Sequence, residues 1–199
     1  MIFINPDSYR DKKITMETTE VNTKIKWVID PARSEIGFKA KYLVFTNVRG
    51  SFKEFDASIY TTGEDFLSAE VDFWINPASI NTGEEKRDAH LRSADFFDVE
   101  NFKEINFTAG RFKKVDNDGN YELYGNLTMK GIKKQIKLEV EFSGVIKDPW
   151  GNHKAVFSIN GKINRKDWGL NWNAALETGG VLVSEDVWIS CEIQLAKQS

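Results

Sequence analysis

The feature that most restricts the fold is a period of two that begins at Lys24 and persists almost to the C terminus. Ile36, Phe38, Ala40 and Tyr42 alternate with Glu35, Gly37, Lys39 and Lys41, and Val71, Phe73 and Ile75 with Glu70, Asp72 and Trp74. The pattern recurs at Ile105, Phe107 and Ala109, at Ile136, Leu138, Val140 and Phe142, and from Val156 to Ile163. It appears last at Val187, Ile189, Cys191, Ile193 and Leu195. Successive side chains on a strand point to opposite faces, so each run predicts a strand with one dry face. Turn chemistry separates the runs, at Asn117 to Asn120, at Lys130 with Gly131, and at Asp148 to Asn152. Many antiparallel strands in succession imply a barrel or a sandwich.

Two stretches break the period. Thr82 followed by Glu85 has the form of a capping box, which predicts a short surface helix from Gly83 to Arg92. It runs into Ala94, Asp95, Phe96, Phe97 and Asp98, where adjacent rings cannot share a strand face and a loop folded over something apolar fits better. The second break, Arg165 to Trp172, reads as a turn or single helical turn whose rings cap one end of the β structure.

With 199 residues the chain allows one domain, assigned to 24–199, preceded by an arm, 1–23, without period. Met16 is an alternative start to Met1, and the arm lacks the continuous apolar core of an export signal, so the chain reads as cytoplasmic. No run approaches the roughly 20 apolar residues of a membrane helix, which predicts a soluble protein. Lysines and arginines number 27 against 30 acidic residues, and this balance implies no attraction to nucleic acid or to anionic membranes. The 14 Phe, 6 Trp and 5 Tyr either fill a sheet core or line an apolar cavity.

Sites of other kinds find little support. One cysteine, Cys191, closes no disulfide within the chain and reads as a small core residue. His90 and His153 lie in different segments, which predicts no bound metal. The Asp116 to Asn120 turn misplaces the glycine and closing Glu of a calcium loop. Asn106 and Asn126 match the glycosylation pattern only by chance, inside strands. Lys130, Lys133, Lys134 and Lys137 read as solvated lysines that protect strand edges. His90, with Asp88, Ser93, Asp95 and Asp98 nearby in sequence, is a candidate general base, but no Gly-x-Ser-x-Gly elbow accompanies it and an anchoring role for the imidazole is favoured.

Longer blocks carry a resemblance. Trp27, Ile29 and Asp30 begin it, followed by Ser34, Ile36, Phe38 and Gly50 to Phe52. The most specific part is Ser79 to Gly83 with Arg87, Asp88 and His90 to Asp98. Ile105 to Thr108, Gly125 to Thr128, Lys130, Gly131 and Asn164, Arg165 and Asp167 to Leu170 complete it. In these residues the chain resembles the YceI-like polyisoprenoid-binding family. The resemblance implies an all-β fold, a single antiparallel lipocalin-like barrel of about eight strands, with a short helix and loop near one mouth. It further implies non-enzymatic storage or transport of a long-chain isoprenoid, a polyprenyl phosphate or isoprenoid quinone, in a bacterial protein without cofactor.

On that picture the apolar channel comprises Ile36, Phe38, Phe73, Leu91, Phe96, Phe97, Ile105, Phe107, Leu127, Leu138, Phe157, Ile159 and Trp168, with Arg87, His90 and Arg92 at the head group. Arg33 and Tyr42 stand where many relatives carry histidines. Many relatives are also exported to the periplasm, a location that does not transfer with the resemblance. A prenyl or acyl hydrolase using His90, and a solid-core interaction module, are the competing readings, and a homodimer stays open.

Overall fold

The computed structural model describes residues 23–43, 45–175 and 182–198. Apart from Thr23, the expected arm 1–23 lies outside the described residues. The strands are β1 (Lys24–Ile29), β2 (Glu35–Tyr42), β3 (Thr46–Phe52), β4 (Phe55–Thr62), β5 (Asp65–Ile75) and β6 (Ile80–Asn81). After helix α1 (Glu85–Arg92) come β7 (Ile105–Lys114), β8 (Asn120–Met129), β9 (Ile132–Lys147), β10 (His153–Asn164) and β11 (Val183–Lys197).

All pairings among the described strands are antiparallel, and β1, β4, β5, β7, β8, β9, β10 and β11 close on themselves as an eight-stranded barrel. The seam is short: β1 meets β11 at Trp27↔Lys197, Val28↔Ala196 and Ile29↔Leu195. Beyond that seam β11 takes β2 as its neighbour, so β2, β3 and β6 form a flap on one half of the barrel. The expected all-β barrel with a short helix and loop is what the chain forms.

The alternation read from the sequence settles which face turns inward. Ile105 and Phe107 on β7, Leu123 and Leu127 on β8, Leu138 and Val140 on β9, and Ile193 and Leu195 on β11 are all buried. Two glycines make room for the rings between them. A Cβ at Gly125 would lie 2.3 Å from Phe107 Cζ and 2.8 Å from the Thr108 carbonyl oxygen, and one at Gly161 would lie 2.5 Å from Leu138 Cδ2. Large side chains on one strand thus lie flat over a neighbouring strand's bare backbone, which lets a small barrel hold so many rings.

The lysine cluster lies where β9 has one neighbour: Lys133, Lys134 and Lys137 pair with β8, and the ladder to β10 begins only at Glu139. Its members also knit the surface: Lys134 pairs with Asp167 at 3.1 Å and Lys137 with Glu122 at 3.0 Å. Glu122 also accepts from the Tyr124 hydroxyl and from Lys113, and these bonds, Tyr124's first, hold its carboxyl down at about 2.

Candidate functional site

Two concavities compete for the role. The larger, about 940 Å³, is bordered by β2, β9, β10 and β11 and lined by charged side chains such as Lys39, Glu139, Lys162 and Glu192 together with Phe38, Ile136, Ile163 and Trp168. Charged groups interrupt its apolar lining. The smaller, about 160 Å³, is the barrel interior, lined by aliphatic and phenylalanine side chains with Cys191 as the sole heteroatom-bearing one. Such a space stays dry and takes only an apolar guest. The interior is therefore the candidate site.

Of the residues expected along the channel, Ile36, Phe73, Ile105, Phe107, Leu127, Leu138, Phe157 and Ile159 line this cavity. Phe38, Leu91, Phe96, Phe97 and Trp168 do not: Phe38 and Trp168 line the larger concavity, and Leu91, Phe96 and Phe97 belong to the helix and the loop after it. Sequence patterning missed Ile29, Ile59, Phe66, Ala69 and Leu123, which also line it. The signal at Phe66 and Ala69 is poor, since Leu67 and Ser68 between them are both exposed and the spacing is three.

Rings crowd one end of the interior. Phe66 meets Trp27 at 5.0 Å, Phe142 at 5.1 Å and Phe157 at 5.0 Å, and Phe142 stacks on Phe157 at 4.7 Å. Trp27 is wholly buried and donates its Nε1 hydrogen to Thr61 Oγ1 at 2.9 Å.

The opposite end carries the lid, built from α1 and residues 93–104. Its helix begins two residues later than the sequence implied, because Glu84, not Thr82, is the N-cap: its carboxylate accepts from Lys86 N and Arg87 N. The carboxylate reaches two orphan amides at once and takes the favourable end of the helix dipole. Thr82 is held otherwise, its amide and hydroxyl donating to buried Asp88 while its Oγ1 accepts from Arg87 Nε at 2.7 Å. Below the helix, Phe97 packs edge-on against Phe52, and Phe52 against Phe38. A short 3₁₀ turn, Arg165–Trp168, completes the closure, with Trp168 buried and its Nε1 donating to the Leu127 carbonyl at 3.1 Å.

The three expected head-group residues sit in this lid, and all have internal partners. Arg87 donates from Nη2 to the Thr82 carbonyl, and Arg92 donates to the Ala78 carbonyl and to Glu85. His90 Nε2 lies 2.8 Å from Asp95 Oδ2, with Phe96 and Trp172 edge-on to its ring at 5.1 and 4.6 Å. Ser93 gives its hydroxyl to the His90 carbonyl, so it is not poised as a nucleophile beside the imidazole.

Arg165 was not anticipated. It is only 4 % exposed, donates from Nε to the Ser184 carbonyl and from Nη1 to the Leu170 carbonyl, and its Nη2 finds no partner among the described residues. Burial pulls its pKa below the usual arginine value. In sequence it stands in a charged Arg-Lys-Asp run at the start of the turn expected to cap one end of the β structure.

Comparison with known proteins agrees with this architecture. UPF0312 protein SAS2572 of Staphylococcus aureus (strain MSSA476) is 40 % identical over 162 residues, 81 % of this chain and 91 % of that one. The Campylobacter jejuni YCEI crystal structure superposes with a TM-score of 0.67 at 32 % identity, covering 80 % of this chain and 90 % of its own. A polyisoprenoid binding domain from Saccharophagus degradans, implicated in plant cell wall breakdown, gives 0.64 at 17 % identity, covering 86 % and 98 %. The YceI-like domain matches residues 27–195, and the chain belongs to that family.

Proposed function

We propose that the barrel binds a long-chain isoprenoid lipid in its interior and stores or carries it without chemical change. The observation that carries this reading is the barrel-interior cavity, whose lining has no charged or amide side chain and which has packed rings towards one end. The Saccharophagus degradans domain named for polyisoprenoid binding has the same fold, which supports the same class of ligand. Against hydrolysis stands the lid histidine, tied to Asp95 and two rings with no activated nucleophile at hand.

Size limits the reading. A cavity of about 160 Å³ matches one benzene-sized guest, so a long chain needs the interior to widen. Each isoprene unit gives roughly 3 to 4 kcal/mol on burial, from about 0.8 kcal/mol per methylene. Several units therefore outweigh the cost of widening together with an association cost of about 4 to 15 kcal/mol.

The test is organic extraction and mass spectrometry of the protein purified from its own host, repeated on Ile159→Trp with circular dichroism alongside. Isoprenoid in the parent and its loss from a folded Ile159→Trp support the reading; lipid retained equally by both overturns it. The head group is tested by comparing a prenyl phosphate with the matching alcohol. Equal weakening of both by Arg87→Ala marks that arginine as part of the lid's frame, whereas selective loss of the phosphate marks it as an anion contact.

A further inference from the structure

The net charge of -3 hides an uneven surface. At the turn joining β2 to β3 the apolar side chains point into solvent: Phe45 is 91 % exposed, Leu43 42 % and Tyr42 37 %. Leu43 also holds a positive φ of 50°, an uncommon conformation for leucine, and its amide donates to the Leu182 carbonyl. An exposed ring and a strained exposed leucine together are costly in water and call for a partner.

The chemistry just behind this tip indicates which one. Lys41 follows Tyr42 down β2, and Lys39 lies opposite Arg49 on β3. None of these three cations has an ion pair among the described residues, and Lys39 and Lys41 lie over the Trp188 ring at 5.3 and 5.9 Å. Of the nearby carboxylates, Asp186 is engaged with Lys162 and Glu185 with Lys166, while Glu35, Glu139 and Glu192 share the larger concavity with Lys39 and Arg49 without pairing to them. From the Tyr42↔Thr46 level to the Lys39↔Arg49 level is three residues, about 10 Å along a strand. Apolar tip, interfacial aromatic and cation thus succeed one another over the depth across which a bilayer changes from acyl chain to head group.

We propose that the β2–β3 hairpin docks the protein on an anionic bilayer, with Phe45 and Leu43 entering the acyl boundary and Lys41, Lys39 and Arg49 meeting the head groups. The tip belongs to the lid end of the barrel. Val183 pairs with Tyr42, Leu182 N donates to the Ala174 carbonyl, and Trp172 just before that packs on His90 and Phe96. Docking would bring the mouth to the surface from which an isoprenoid is drawn, so the inference deepens the proposed function; the docking itself is measured without any isoprenoid.

The experiment is co-sedimentation of the full chain with vesicles of phosphatidylcholine alone and with about one third phosphatidylglycerol. Binding to the anionic vesicles, weaker on zwitterionic ones and reduced about tenfold or more by either Phe45→Ser or Arg49→Glu, supports the proposal. Failure of the parent to bind anionic vesicles, or equal binding by Phe45→Ser, overturns it. So does a parent dimer that Phe45→Ser converts to monomer, which would make the tip a contact between two copies. Lipid extracted from Phe45→Ser separates the two ideas: unchanged content leaves the interior reading standing whatever the vesicles show, and absence of lipid from both proteins removes that reading without touching the docking result.

Discussion

Buried polar atoms in this barrel are few, and those present fix geometry. Trp27 Nε1 and Thr61 Oγ1 form one such pair, and the threonine passes its own hydrogen to the Gly63 carbonyl at 2.6 Å. Thr61→Val keeps the shape and strands the indole hydrogen, so it should cost about 1 to 3 kcal/mol in denaturant unfolding, with Thr61→Ser losing much less. Cys191 behaves in the opposite sense. Desolvation, its main cause, pushes the thiol up to about 12 from 9.0. The folded state therefore keeps a proton that the unfolded chain releases. The associated stability is complete below pH 9 and is lost as pH rises from 9 toward 12. A thiol reagent at neutral pH should leave native protein unlabelled and label it once unfolded; rapid labelling of native protein would contradict the burial.

Strands and their dry faces were legible because period two is a local signal, and Ile36, Phe73 and Ile105 follow it without exception. What was not legible depends on partners remote in sequence. Nothing around Gly125 shows that Phe107 will lie across it, since the contact exists only once β7 and β8 pair with Phe107 opposite Leu127. Gly125→Ala should accordingly destabilise the protein by about 1 to 3 kcal/mol, an overpacking cost, because the Thr108 carbonyl on the far side is backbone and cannot yield. Thermal melts check this, and Gly125→Ala with Phe107→Leu should recover part of the loss. The helix was visible but its cap was not, because threonine is a preferred capping type and glutamate is not, and only the fold decided that Asp88 would claim the threonine and leave Glu84 to cap. Arg165 was hidden for a similar reason: its carbonyl partners, Leu170 and Ser184, are brought to it by the chain's return into β11.

At the scale of the molecule, closure rests on an uneven ring. Most neighbouring strands share long ladders, whereas β1 and β11 share three residue pairs. Lys26 adds a bond beyond the strand's end, its carbonyl accepting from Gln198 N. The seam is thus the place where girth can change at least cost, and amide exchange should be fastest there among the barrel's interior ladders if the barrel breathes to admit a chain. Slower exchange at Val28 than at Phe157 would place the give elsewhere. The dry interior has a mechanical consequence as well. A void that neither side chains nor water fill is volume that unfolding eliminates, so the unliganded protein should be unusually sensitive to hydrostatic pressure. A space of about 160 Å³ contributes a volume decrease on the order of tens of mL/mol. An occupied barrel has no such reserve, and its midpoint pressure should rise when a prenyl chain is bound, even where the melting temperature moves little.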